Sequence, residues 1–171
     1  MEPADRLWKE VLRLGRDTPA KAVGGVTAEC LTLTLPWNSR LAGVAGVLHQ
    51  VIGLDSGVSV YGAQRPVADL VLLASAGRMG PLRVAWGAPL AGLAARERAV
   101  QFVGEGRVFP DYLGGWLGVV GCIAVPIMRD RQVFAVLEIR SHEAERLGLF
   151  DAEIVLAAAE QLADKWANGD Q

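Results

Sequence analysis

Two apolar runs joined by a short polar turn constrain this chain more than any other feature. Cys122 to Met128 reads CIAVPIM, Val133 to Ser141 reads VFAVLEIRS, and Arg129-Asp130-Arg131-Gln132 lies between them. Runs of this length, rich in valine and isoleucine and so closely spaced, are expected to pair as antiparallel strands. Asp151 then reads as the N-cap of a helix to about Trp166, with Val155, Ala158, Ala159, Leu162 and Trp166 on one face. Such a striped helix needs a sheet face to cover.

The preceding sequence supplies more of both elements. Leu41, Val44, Ala45, Leu48, Val51 and Ile52 recur at helical spacing behind Asn38 or Ser39 as caps, and Gly53 suits the helix end. Gly57 to Gly62 alternates as a strand, and Asp69 to Ala74 is a second strand across a short loop holding Pro66. Gly77 to Gly80 reads as a turn, Pro89 to Arg96 as a short helix, and Ala99 to Val103 as a short strand. Residues 104 to 118 form a long glycine-rich connection carrying Phe109, Tyr112 and Trp116. Ala4 to Leu14 reads as a first amphipathic helix, and Thr18-Pro19 as a second helix start. The next segment is ambiguous, because Gly24-Gly25 weakens a helix and Leu31 to Leu35 alternates like a strand.

Side chains alternate along strands, so faces can be assigned. Ala135, Leu137 and Ile139 form one row on the last strand, and Ile123, Val125 and Ile127 one on its neighbour. These aliphatic rows call for burial under the helices. The mixed row of Val136, Glu138 and Arg140, with Cys122, Ala124, Ser59 and Tyr61, is left for the opposite face.

Composition excludes some functions. Apolar residues at 51% and charged residues at 21% describe a globular chain. A net charge of −2 offers no basic excess for phosphates, so no direct nucleic-acid partner is expected. The N-terminus has no apolar signal-like core, and the uncharged stretch from Tyr112 to Met128 is short and broken by glycines and Pro126; a cytoplasmic location without membrane contact is expected. Cys30 and Cys122 sit in apolar contexts far apart and read as reduced, buried thiols. His49 and His142 fall in no ligand-type cluster, so no metal and no cofactor are expected.

The last third resembles the C-terminal half of GAF domains. Val125-Pro126-Ile127 matches the family's hydrophobic-Pro-hydrophobic triplet, Val133 to Ile139 its next strand, and Phe150-Asp151 its helix start; Ala135 stands where the family usually has glycine. The resemblance spans roughly residues 38 to 168, and PAS domains are the structural competitor. It implies an α/β (α+β) domain: a central antiparallel sheet, helices on one face, and loops and a short helix roofing a small-molecule pocket on the other. The expected division is an N-terminal helical extension over 1–37 and a GAF-like ligand-binding domain over 38–171.

Ser59, Tyr61, Trp86, Phe102, Tyr112, Trp116, Cys122 and Glu138 are the expected pocket residues. Two alternatives stay open: the aromatics line a cavity or fill it, and Glu138 meets a ligand or pairs with Arg140 or Arg129. The Gly114-Gly115 and Gly118 to Gly121 turns could present N–H groups to an anion. One branch of the family, the free methionine sulfoxide reductases, is catalytic through a roof-loop cysteine. PDYLGGWLGVVG has none, and Cys122 lies in the following strand. No catalytic residue is therefore expected. The resemblance implies a sensory domain for an unidentified small molecule. It would act through a regulatory protein partner or a homodimer, using terminal helices that carry Leu7-Trp8-Val11-Leu12 and Leu162-Trp166. A thiol-dependent reductase or a ligand-free scaffold is the alternative.

Overall fold

The computed structural model describes residues 19–53, 55–64, 69–104 and 118–169. The elements run α1 (Pro19–Leu31), α2 (Trp37–Ile52), β1 (Ser56–Ala63), β2 (Asp69–Gly77), β3 (Arg83–Ala85), α3 (Ala91–Glu97), β4 (Gln101–Val103), β5 (Gly121–Arg129), β6 (Gln132–Ser141) and α4 (Leu149–Ala167). The expected helix over Ala4 to Leu14 lies outside the described residues, as do Pro66 and most of the 104–118 connection.

The six strands form one antiparallel sheet in the order β3-β2-β1-β6-β5-β4. β5 and β6 pair as the sequence requires, with Val125 opposite Leu137 and Arg129 opposite Gln132. Asp130 and Arg131 close the hairpin with φ of 49° and 68°. Positive φ at both central residues is the pattern of a type I′ turn, whose twist matches that of the flanking strands.

One sheet face carries Val58, Val60, Ile123, Val125, Ile127, Ala135, Leu137 and Ile139, all in one buried cluster with residues of α1, α2 and α4. The other carries Tyr61, Cys122, Ala124 and Val136, which pack with Leu90, Ala91, Ala94 and Ala95 around α3. The aliphatic row thus lies under α2 and α4, on which α1 packs in turn, and the mixed row under one short helix, as the alternation requires. Trp166 meets Trp37 edge to face with ring centroids 4.9 Å apart, fastening the end of α4 to the start of α2. The Leu162–Trp166 stripe is therefore taken up by the core.

The segment left ambiguous after Pro19 resolves as helix and turn: α1 continues to Leu31, and residues 31 to 35 form no strand. Its glycines are tolerated because packing outweighs propensity; a Cβ at Gly24 would stand 3.7 Å from Ala157 Cβ, so α1 and α4 approach closely there. Asp151 is not the N-cap but the third helical residue, where its carboxylate accepts the Gly148 N–H at 2.8 Å. β3 has no counterpart in the sequence reading, since three residues paired to the end of β2 show no period. The division expected after residue 37 runs between two helices that share one core, since α1 contributes Ala22, Val23, Val26, Cys30 and Leu31 to it.

Among the described residues, no helix is long and apolar enough to cross a membrane. Leu137 is fully buried beneath the helices, whereas Leu149 is 79% exposed at the start of α4. Leu137→Ala should cost about 2–5 kcal/mol. Leu149→Ala should stay within about 0.5 kcal/mol of wild type. Urea denaturation measures both, and equal costs would contradict the assigned faces.

Candidate functional site

The mixed face holds a pair of buried charges. Glu138 and Arg140 are two residues apart on β6, so their side chains rise from the same face, and they are only 4% and 5% exposed. Arg140 Nε lies 3.4 Å from Glu138 Oε1. Arg140 Nη2 donates to Ser59 Oγ at 2.8 Å, across the β1–β6 pairing. The Ala91 N–H, at the start of α3, donates to Glu138 Oε2 at 3.1 Å. Tyr61, two residues beyond Ser59 on β1, donates its hydroxyl to the Pro81 carbonyl at 3.0 Å.

Glycine makes room for this arrangement. A Cβ at Gly80 would stand 2.2 Å from Arg140 Nη1 and claim the space of the guanidinium, whereas one at Gly57 would first strike the Arg78 carbonyl oxygen at 2.3 Å and stand 3.1 Å from Arg140 Nη2. Beside the pair, a cavity of about 20 Å³ is lined by Pro81, Val84, Pro89 and Leu90 of the segment leading into α3, and by Val119, Cys122, Glu138 and Arg140. That volume suits about one water molecule.

The electrostatics follow from burial. Desolvation raises the Glu138 carboxyl above the ordinary glutamate value, while the Arg140 guanidinium and the Ala91 N–H oppose the rise. Desolvation first, and the Glu138 charge second, push the Cys122 thiol well up. The Tyr61 phenol rises for the same two reasons, in the same order. At the rim, burial and then the Arg78 charge lower His142. Cys122 is therefore a protonated thiol rather than a nucleophilic thiolate.

The expected site residues divide into three groups. Ser59, Tyr61, Cys122 and Glu138 come together on the buried face, and Trp86 packs at the edge of the same cluster. Phe102 does not join them: it pairs in register with Ile123, whose row faces the helices, and is 43% exposed. The alternation along so short a strand, rather than its aromatic character, decides its side. Tyr112 and Trp116 lie outside the described residues, as do Gly114 and Gly115. Of the open readings for Glu138, Arg140 is its partner, but in the interior and not on a solvated face. Arg129 pairs instead with Asp164. Arg140 itself is missing from the expected site; its signal was its place in the Glu138 row opposite Gly57. Among the described residues, no group of three or more His, Cys, Asp or Glu is placed to hold a metal ion.

Because the folded state holds the Glu138 proton to higher pH than the unfolded chain does, its contribution to stability is lost as pH rises. The loss spans the ordinary glutamate value to the raised native one. Glu138→Gln removes the titration. The unfolding free energy of wild type minus that of the variant should therefore fall with pH across this window, as urea denaturation at a series of pH values would record. A rising difference would mean that Arg140 and Ala91 outweigh burial.

The architecture has clear counterparts among solved structures. A free methionine-R-sulfoxide reductase from Neisseria meningitidis, in complex with its substrate, superposes with a TM-score of 0.79 at 22% identity, covering 90% of this chain and 91% of that one. A structure described as that of the GAF domain gives 0.80 at 16% identity and 96% of both chains. The GAF domain of an Acinetobacter phosphoenolpyruvate-protein phosphotransferase gives 0.76 at 15% identity, over 89% of this chain and 95% of that one. No family model and no curated protein matches the sequence. At such identities the likeness is one of fold, and it agrees with the sheet order, the helical layer and the roofed face: this chain adopts the GAF fold.

Proposed function

We propose that this chain is a regulatory domain that binds a small molecule at the roofed face of its sheet, against Glu138, Arg140, Ser59 and Tyr61, and passes occupancy on through protein contacts. The observation that carries this reading is the buried Glu138–Arg140 pair in the wall of the cavity beneath residues 81 to 90. Two charges taken out of water cost several kcal/mol, and apolar residues of similar volume would serve a core as well or better. Polar groups converging on an otherwise apolar hollow are the usual make-up of a small-molecule site. Structural neighbours from a phosphotransferase and a protein described as a GAF sensor from Burkholderia vietnamiensis support a regulatory role.

The thiols argue against a reductase. Reduction through a cysteine needs a thiolate and a second thiol to resolve the oxidised intermediate. Cys122 is held protonated beside Glu138, and Cys30 is buried beneath the helices on the other side of the sheet. No exchange between them is possible without dismantling the core.

A thermal-shift screen of small polar metabolites, free methionine sulfoxide included, tests the proposal. A ligand at a hundred times its Kd should add about 2.7 kcal/mol to the stability of the native state. At least one compound is expected to raise Tm in wild type and in Cys122→Ser alike, and less in Arg140→Met. Thiol-dependent turnover of free methionine sulfoxide that disappears in Cys122→Ser would overturn the reading.

A further inference from the structure

Three side chains of the roofed face each hold a backbone atom of one continuous segment. Arg140 Nη2 donates to the Arg78 carbonyl at 3.3 Å, Tyr61 to the Pro81 carbonyl at 3.0 Å, and the Ala91 N–H donates to Glu138 at 3.1 Å. Residues 78 to 91 thus arch over the cavity, and their own Pro81, Val84, Pro89 and Leu90 line it. The arch is continuous with α3. Gly87 N–H donates to the Gly92 carbonyl at 2.9 Å and Leu93 N–H to the Ala88 carbonyl at 2.8 Å. A Cβ at Gly92 would stand 2.0 Å from the Ala85 carbonyl oxygen, so β3 and α3 touch backbone to backbone. Beyond α3, β3 pairs only with β2 at the sheet edge.

We propose that residues 78 to 97 form a roof that opens as one unit, latched by the Tyr61–Pro81 and Glu138–Ala91 hydrogen bonds, and that a ligand N–H donor opens it by taking Ala91's place on the Glu138 carboxylate. The inference rests on the reading of this face as a ligand site. With the roof in place, a cavity of about 20 Å³ admits nothing larger than water. A buried carboxylate oxygen stripped of its donor is costly, so the roof opens rarely on its own and stays open when an incoming group donates in Ala91's stead. An ammonium or amide N–H does so. A carboxylate or phosphate brings like charge to Glu138. Arg140 is committed to Glu138, Ser59 and the Arg78 carbonyl, and so ties the sheet to the roof.

Amide hydrogen exchange on the full chain without ligand tests the latch. Amides between residues 82 and 97 are expected to exchange as one cooperative group, about tenfold faster in Tyr61→Phe and in Glu138→Ala. In Tyr61→Phe, which keeps the charged pair, those of β5, β6 and α4 should change far less. Tyr61→Phe leaves both charges in place, so it decides the matter if Glu138→Ala does not fold. Unchanged exchange over 82–97 in Tyr61→Phe, or lost protection across the whole sheet, overturns the latch. A second arm compares ethylammonium chloride with sodium acetate at equal ionic strength in the wild-type protein. Ethylammonium should speed exchange over 82–97 and acetate should not; equal effects overturn the donor exchange. A Tm-raising metabolite that leaves this segment unmoved would sink the roof and spare the binding site, whereas a roof that loosens in Tyr61→Phe with no metabolite bound would do the converse.

Discussion

The ion pair between Glu138 and Arg140 is the constraint around which this domain is arranged. Both groups are almost wholly buried, and each reaches beyond its partner. Arg140 bonds to β1 through Ser59 and to the end of β2 through the Arg78 carbonyl; Glu138 bonds to the start of α3. A buried charge with any of these contacts missing would be expensive, so the pair fixes the relative positions of three parts of the chain. Gly80 is needed where it is because the guanidinium fills the space beside it, and Gly57 because the Arg78 carbonyl that Arg140 holds comes so close.

The two sheet faces perform different tasks. Beneath, aliphatic rows from β1, β5 and β6 merge with α1, α2 and α4 into the larger core, where stability resides. Above, a smaller cluster of mostly short side chains under α3 surrounds the charged pair and a water-sized hollow. A rigid platform carrying a less stable cover is the arrangement that allows a site to open without unfolding the domain. It also accounts for the quiet chemistry of Cys122, whose thiol shares the buried face with a carboxylate.

Much of this was legible in the sequence, and for a definite reason. Alternation along strands has a period of two, so Leu137 and Glu138 had to face opposite ways, and their chemistry told which way each faced. The hairpin of β5 and β6, the helices α2 and α4 and the short α3 followed from equally regular patterns. The failures share a cause as well. Three-residue strands carry no period, which hid β3 and misplaced Phe102. Gly24-Gly25 argued against a helix that exists because α4 packs closely on it. Arg140 was read in the mixed row and as a possible partner of Glu138 but left out of the site, because its further contacts are to Ser59 and Arg78, far away in the chain, and local sequence carries no record of them.

A double-mutant cycle on Glu138 and Arg140 tests most directly whether the charged pair organises the roofed face. Glu138→Leu and Arg140→Met would be compared, singly and together, by urea denaturation at neutral pH. Each single change leaves a buried charge without its partner and should cost about 3–5 kcal/mol. The double change removes both charges and should cost well under the sum, with a coupling of about 1 kcal/mol or more. Additive costs would contradict the account, because two side chains that do not feel one another cannot hold the sheet, residues 78 to 91 and α3 in register.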